Sequence, residues 1–145
     1  MRILILATDG SDGAMRALAF AVRLAMALET ELCLVTVTPS MGLSEKDLEE
    51  FSRTENVSLG DVLDAEAERI LARAKSRAIE LGAHRLRTEA ATGDPAETLL
   101  GLAKRDGADA IVVGKRGRGP LRGMLLGSVS QKLVSLAACP VVVVP

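Results

Sequence analysis

Hydrophobic and polar positions along this chain fall into segments of two lengths, and the shorter ones predict β-strands. Mostly apolar runs occur at Arg2–Ala7, Glu31–Val37, Asp109–Val113 and Val141–Val144, and an alternating segment spans Arg85–Ala91. Uninterrupted apolar runs of this length are typical of strands that are buried on both faces of a sheet. The pattern therefore predicts five strands.

The longer segments place apolar residues at helical spacing. They are Ala14–Leu28, Asp61–Leu81, Pro95–Arg105 and Gly127–Ala137. The third has a strong start signal, because Asp94 can cap the helix, Pro95 suits its first position and Glu97 completes a capping box. Gly107 stops that helix, and Gly82 is placed to end the second one. Four helices therefore separate the five strands.

Alternating strands and helices predict an α/β protein: one doubly wound domain, residues 1–145, with a five-stranded parallel sheet and helices on both faces. The least regular segment, Pro39–Gly60, is predicted to be a loop with one helical turn near Glu45–Phe51. In such sheets the ligand crevice lies at the carboxyl ends of the strands. Those ends carry Asp9, Val37-Thr38, Thr92-Gly93 and Gly114 to Gly117.

The glycine pattern after the fourth strand carries the most functional information. Gly114-Lys115-Arg116-Gly117 is followed, after nine further residues, by Gly127-Ser128, which reads G-x2-G-x9-G-S. A strand that leads through a glycine loop into a helix presents unpaired N–H groups and the positive end of a helix dipole to an anion. The spacing is neither that of the P-loop nor that of G-x-G-x-x-G. We therefore expect a phosphate site of another kind.

Composition narrows the choice of ligand and partner. The net charge is −1, and the only aromatic residues are two Phe, so binding to nucleic acid or to a membrane surface is not expected. Cys33 and Cys139 lie in apolar surroundings and are expected to be buried reduced thiols. The single histidine, His84, is expected at the surface and leaves too few ligands for a metal site. With no leader or membrane-length apolar run, we expect a cytoplasmic protein.

Several segments together resemble the universal stress protein family, specifically its ATP-binding branch. They are Ile5-Leu6-Ala7-Thr8-Asp9-Gly10-Ser11, Gly93-Asp94-Pro95, Ala108 to Gly114, the G-x2-G-x9-G-S loop, and Ala138-Cys139-Pro140 with Val141 to Val144. The resemblance covers essentially the whole chain and implies a Rossmann-like fold of the adenine nucleotide alpha hydrolase type. It also implies a homodimer that pairs through Val141–Val144, which would cover an otherwise exposed sheet edge.

The resemblance also implies the residues of an ATP site. They are Thr8, Asp9, Val37, Gly114, Lys115, Arg116, Gly117, Gly127, Ser128, Val129 and Ser130. The two loop glycines would allow a tight turn and close backbone approach. The N–H groups from Gly127 to Ser130 would hold phosphate oxygens, aided by the hydroxyls of Ser128 and Ser130. An ordinary helix cap remains the alternative for Gly127-Ser128.

Other site residues have competing interpretations. Asp9 would contact the ribose hydroxyls, unless it caps the first helix, which Ser11 or Asp12 could do instead. The backbone of Val37 would lie against the adenine. Val35 is the competing choice by register, and the remaining alternative is that Val37 is only a core residue. The basic residues of the loop would neutralise a triphosphate, or would simply be solvated: Lys115, Arg116, Arg118 and Arg122.

We expect a regulatory module that binds ATP, with Mg²⁺ held mainly by the phosphates, and that acts on an unknown protein partner. No general base or nucleophile stands beside the glycine motif in the sequence, so we do not expect an enzyme. The alternative is a slow ATPase of the same fold. A pure interaction protein that binds no nucleotide is disfavoured by the complete loop.

Overall fold

A computed structural model describes residues 2–39, 59–117 and 126–145. The strands are β1 (Ile3–Ala7), β2 (Glu31–Thr38), β3 (Leu86–Thr92), β4 (Ala110–Gly114) and β5 (Val141–Val144). They form one parallel sheet in the order β3-β2-β1-β4-β5. The predicted parallel five-stranded sheet is therefore confirmed. The predicted helical turn at Glu45–Phe51 lies outside the described residues.

The helices are α1 (Asp12–Leu28), α2 (Leu59–Glu80), α3 (Pro95–Asp106) and α4 (Ser128–Leu136). The start of α3 is as predicted: the side chain of Asp94 accepts the N–H of Glu97 at 2.9 Å, and Pro95 opens the helix. The C-cap Gly107 takes a left-handed backbone (φ 61°), which glycine adopts without steric cost. No helix in the described part of the chain is both long and apolar enough to span a bilayer.

The predicted element bounds need small corrections. Helix α2 begins at Leu59, inside the segment that we predicted to be a loop up to Gly60. Helix α4 is shorter by one residue at each end than the predicted Gly127–Ala137, because both of these residues have extended backbone and serve as caps. Such shifts are expected, since helix ends depend on local hydrogen bonds that periodicity does not report.

Alternation along the central strands divides the core into two layers. Leu4 and Leu6 pack with α1 and α2 on one face of the sheet, whereas Ile3 and Ile5 pack with α3 and α4 on the other. Both faces are thereby covered, as a parallel sheet requires. The chain turns to one side of β1 through α1 and to the other through α3, so the strand order reverses between β1 and β4. A crevice is expected at that point.

Candidate functional site

A cavity of about 430 Å³ opens at the carboxyl ends of the strands, where the topology calls for a ligand crevice. Its walls come from the ends of β1, β2 and β4 and from the facing parts of α2, α3 and α4. Predicted site residues in its lining are Thr8, Asp9, Val37, Gly114, Arg116, Gly117, Gly127, Ser128, Val129 and Ser130. The fold thus brings together segments that are more than a hundred residues apart in the chain.

Lys115 is the predicted site residue that does not line the cavity. Its backbone serves the loop instead: its N–H donates to the carbonyl of Val144 at 2.7 Å, and its carbonyl accepts the N–H of Gly127 at 2.8 Å. Arg116 does line the cavity. Arg118 and Arg122 lie outside the described residues, so the predicted cluster of four basic residues is described only in part.

The N-terminus of helix α4 lies at this cavity and has no side-chain cap. The residue before it, Gly127, makes no side-chain capping bond. By contrast, the hydroxyl of Ser11 accepts the N–H of Ala14 at the start of α1, and Asp94 caps α3. The first N–H groups of a helix have no acceptor within the helix. The start of α4 therefore offers N–H groups, together with the positive end of its dipole, to an anion in the cavity.

Two of the phosphate contacts that we predicted at α4 have other partners in the structure. The N–H of Gly127 already donates to the carbonyl of Lys115. The hydroxyl of Ser130, 2% exposed, lies 2.9 Å from the same carbonyl and 3.1 Å from that of Gly127. These groups hold the glycine loop against the helix. Among the described residues, the exposed hydroxyl of Ser128 and the N–H groups of Ser128, Val129 and Ser130 have no such partner and remain for an anion.

The structure settles how α1 is capped. Ser11 is the N-cap, so the alternative that Asp9 caps the helix is wrong. Asp9 instead accepts the N–H of Ser11 through Oδ1 at 2.9 Å, and the hydroxyl of Thr8 accepts the N–H of Gly10 at 3.2 Å. These bonds form a compact turn at the end of β1, which holds the Asp9 carboxylate in the cavity wall.

Glycines of the motif allow close approach and are not needed for a left-handed backbone. A Cβ on Gly114 would lie 3.2 Å from the backbone of Gly13, and one on Gly117 would collide with Oδ2 of Asp9. Neither residue has a positive φ, so the tight turn that we predicted at these two positions is not what demands glycine. Gly13 itself was missed, because a glycine one residue into a helix gives no signal of a distant neighbour.

The backbone of Val37 faces the cavity edge of β2. The N–H of Thr8 donates to the carbonyl of Val35 at 2.8 Å, so Val35 is engaged with the β1 side of the strand. Backbone groups along a strand point to alternate sides, so those of Val37 also point toward β1. Pairing between the two strands ends at Ala7 with Val35, two residues earlier. Within the described ranges, Val37, and not Val35, therefore has backbone groups at the cavity that no other backbone group pairs.

Helix α2 forms a wall of the cavity that the motif did not reveal. Its lining residues are Leu63, Glu66, Ala67 and Ile70, at the spacing of one helical face. Periodicity assigned the three apolar ones to the interior, but nothing in the sequence singled out Glu66. Both oxygens of its carboxylate accept hydrogen bonds from Arg69, at 2.7 and 2.9 Å.

The remaining candidate groups lie apart from this cavity. His84 is exposed, as predicted, and lines a separate cavity of about 290 Å³. Both cysteines are free; Cys33 is buried, whereas Cys139 is only partly so, contrary to our prediction for it. Burial raises the pKa of the Cys33 thiol to about 11. In the described ranges, no three or more His, Cys, Asp and Glu side chains are grouped to hold a metal ion.

Fold and cavity define a doubly wound α/β protein with a crevice at its topological switch point. A family model described as the universal stress protein family matches residues 1–145. The chain is 35% identical over 144 residues to the universal stress protein YxiE of Bacillus subtilis, covering 97% of each chain. It therefore belongs to the universal stress protein family.

Solved structures agree with this assignment. The universal stress protein UspA from Lactobacillus plantarum superposes with a TM-score of 0.85 at 26% identity, covering 99% of this chain and 97% of that one. A universal stress protein in complex with cAMP superposes with a TM-score of 0.73 at 28% identity, with coverage of 99% and 97%. The first supports the predicted fold class, and the second shows that a similar protein binds an adenine nucleotide.

Proposed function

We propose that this protein binds ATP at the carboxyl-end cavity and acts as a nucleotide-dependent regulatory module in a stress response. The observation that carries the proposal is the uncapped N-terminus of α4 at the cavity, beside Gly117 and Asp9. A backbone surface without Cβ atoms next to free N–H groups suits phosphate oxygens. The cAMP complex of a similar protein supports an adenine nucleotide as the ligand.

The phosphates, the ribose and the base of the nucleotide would lie in different parts of the cavity. Phosphates would lie at the N–H groups of Ser128, Val129 and Ser130, with the Arg116 side chain as a counter-charge. The Asp9 carboxylate would accept hydrogen bonds from the ribose hydroxyls. The base would lie against the unpaired backbone of Val37, whose N–H and C=O can read an adenine edge. Mg²⁺ would be held mainly by the phosphates and water, which suit its octahedral preference.

We propose that the protein binds ATP and does not hydrolyse it efficiently. Among the described lining residues, the ionisable side chains are Asp9, Glu66 and Arg116, and the histidine lies in the other cavity. Phosphoryl transfer depends on a residue that orients the attacking group and on cations that match the developing charge. We therefore expect at most slow hydrolysis, and regulation of a protein partner in the cytoplasm by the nucleotide-bound state.

We further propose a homodimer through β5, which is an edge strand of the sheet. The carbonyls of Pro140 and Val144 accept the N–H groups of Ile111 and Lys115 from the β4 side. By alternation, the backbone groups of Val141 and Val143 point away from β4. An unprotected apolar edge invites pairing, and a second copy across a two-fold axis would cover it.

The test of ATP binding is a substitution that separates binding from folding. Ser128→Asp puts a carboxylate at the first residue of α4, where it is favourable to the helix dipole but repels a phosphate. We expect calorimetric titration with Mg-ATP to show saturable binding by the wild type and a loss of roughly a hundredfold in the variant, about 2.7 kcal/mol. The melting temperature should stay the same or rise.

Ser135→Asp is the matched control, because Ser135 is exposed on the same helix and does not line the cavity. It makes the same change in net charge and should bind Mg-ATP like the wild type. A wild type that shows no heat of binding, and that releases no nucleotide when the purified protein is denatured, would refute the proposed function. Equal affinity of Ser128→Asp and the wild type would refute the site.

A further inference from the structure

We infer that the hydroxyl of Thr36 binds the base of the nucleotide, at the edge of adenine that carries N7 and the second amino hydrogen. The inference rests on the proposed function, since it concerns the nucleotide bound in that cavity. It goes further in naming a side chain outside the glycine motif, on a strand that contributes only the backbone of Val37 to the proposed site.

Thr36 has a buried hydroxyl without a hydrogen-bond partner. Among the described residues, the buried polar ones are Thr8, Thr30, Thr36 and Ser130, and Thr36 is 4% exposed. The hydroxyls of the other three each form at least one hydrogen bond within the protein. That of Thr36 forms none. Buried polar groups are nearly always paired, because leaving one unpaired costs free energy, so this exception requires an explanation.

The unpaired hydroxyl of Thr36 is open to the carboxyl-end cavity, which Thr36 lines. Side chains alternate along a strand, and Leu32 and Leu34 pack in the core layer formed with α1 and α2. The side chain of Thr36 therefore points to the same face, toward the wall that α2 forms. In the described part of the chain, its oxygen is not one of the atoms that are sealed from solvent without a hydrogen bond. A molecule in the cavity can therefore reach it.

Topology places Thr36 at the end of the cavity away from the phosphates. The start of α4, where the phosphates would lie, follows β4. Strand β1 separates β4 from β2 in the sheet. A nucleotide whose phosphates lie at α4 and whose sugar lies at the end of β1 therefore extends its base to β2, beside Val37 and Thr36.

The chemistry of a hydroxyl matches the edge of adenine that Val37 leaves unpaired. The backbone of Val37 offers one N–H and one C=O, which suit N1 and one amino hydrogen. The adjoining edge still carries an acceptor, N7, and a donor, the second amino hydrogen. A threonine hydroxyl both donates and accepts, so it fits either group. The apolar residues that α2 adds to this wall bury the faces of the ring but offer it no hydrogen bond: Leu63, Ala67 and Ile70.

Calorimetric titration with Mg-ATP of Thr36→Val and Thr36→Ser tests the inference. Thr36→Val removes the hydroxyl and keeps the shape of the side chain, so we expect binding to weaken roughly three- to tenfold, the size of one neutral hydrogen bond. Thr36→Ser keeps the hydroxyl and should bind within about twofold of the wild type. The melting temperature of nucleotide-free Thr36→Val should stay the same or rise, because no protein group loses a partner and valine favours strands.

Two analogues of ATP test whether the contact is with the base. The triphosphate of 7-deaza-adenosine lacks N7, and that of purine riboside lacks the amino group. With one of the two, Thr36→Val should weaken binding by less than about twofold, because the partner of the hydroxyl is already missing. The full loss with both analogues would refute contact with this edge of the base.

Thr88→Val is the matched control, since Thr88 lies on the neighbouring strand β3, is exposed and does not line the cavity. It makes the same chemical change and should bind Mg-ATP like the wild type. If Thr36→Val bound Mg-ATP as tightly as the wild type, or if the free variant melted well below it, the inference would fail while the proposed function stood. A wild type that binds no Mg-ATP would refute the proposed function itself.

Discussion

Gly13 gives the sharpest test of how α1 and the glycine loop fit together. A Cβ added to Gly13 would lie 2.8 Å from the backbone carbonyl oxygen of Arg116. This distance is shorter than the contacts that Cβ atoms make in proteins. The neighbour is backbone and not the end of a flexible side chain, so either α1 or the loop must move. Gly13→Ala therefore perturbs the cavity through the backbone of Arg116 and removes no side chain that we assign to the ligand.

The expected magnitude follows from two opposing terms. Replacing glycine by alanine in a helix ordinarily stabilises a protein by about 0.5–1 kcal/mol. Overpacking against a rigid neighbour costs about 1–3 kcal/mol. We therefore expect Gly13→Ala to lower the free energy of unfolding by about 1 kcal/mol. Displacing the backbone of Arg116 should also weaken Mg-ATP binding, by roughly three- to tenfold if one hydrogen bond is impaired.

Gly101→Ala is the matched control, because Gly101 lies within α3 and a Cβ there meets no atom within 4 Å. Urea denaturation should show this variant to be more stable than the wild type by about 0.5–1 kcal/mol, with an unchanged urea dependence. Its affinity for Mg-ATP should be unaltered. If Gly13→Ala were as stabilising as Gly101→Ala and bound Mg-ATP equally well, the close contact between α1 and the loop would not exist in solution.

Two further predictions concern the β5 edge and the charge network of α3. Val143→Pro removes an N–H that points away from β4, so sedimentation should show a monomer that still folds. Val142→Pro removes a donor to β4 and should cost about 3 kcal/mol of stability. A dimer that survives Val143→Pro would refute pairing through this edge. Hydrogen bonds from Arg105, and then Arg87, lower the pKa of Asp106 to about 2, below its ordinary 3.8. The resulting stability is present above about pH 4 and is lost as the pH falls to about 2. Asp106→Asn should therefore be less stable than the wild type by about 1 kcal/mol at neutral pH, and the difference should vanish in acid. If the free energies of unfolding of the two proteins changed in parallel with pH, the prediction would be contradicted.

Local sequence features determined much of the fold. The apolar run around Ile5 and the helical spacing within Ala14–Leu28 predicted a strand and a helix, because burial on two faces or on one imposes a period that the chain itself shows. The Asp94-Pro95 start of α3 was equally readable, since a cap and its helix are neighbours in sequence. The glycine motif located the crevice for the same reason: strand, loop and helix are consecutive.

Other features depended on which segments meet in space. The sequence predicted phosphate contacts from the hydroxyl of Ser130 and the N–H of Gly127. Both groups instead donate to the carbonyl of Lys115, which folding brings beside them. The choice between Val35 and Val37 required the register of β2 on β1, because it depends on the residue at which the pairing of the two strands ends.

What the sequence by itself determined is therefore the set of elements, their order and the end of the sheet at which a ligand would bind. Only the tertiary structure decided that Gly13 must be glycine against Arg116, and that α2 forms a wall of the cavity. The physical reason is that periodicity and caps arise between residues a few positions apart. Close approach and the lining of a cavity arise between residues that only the packed sheet brings together.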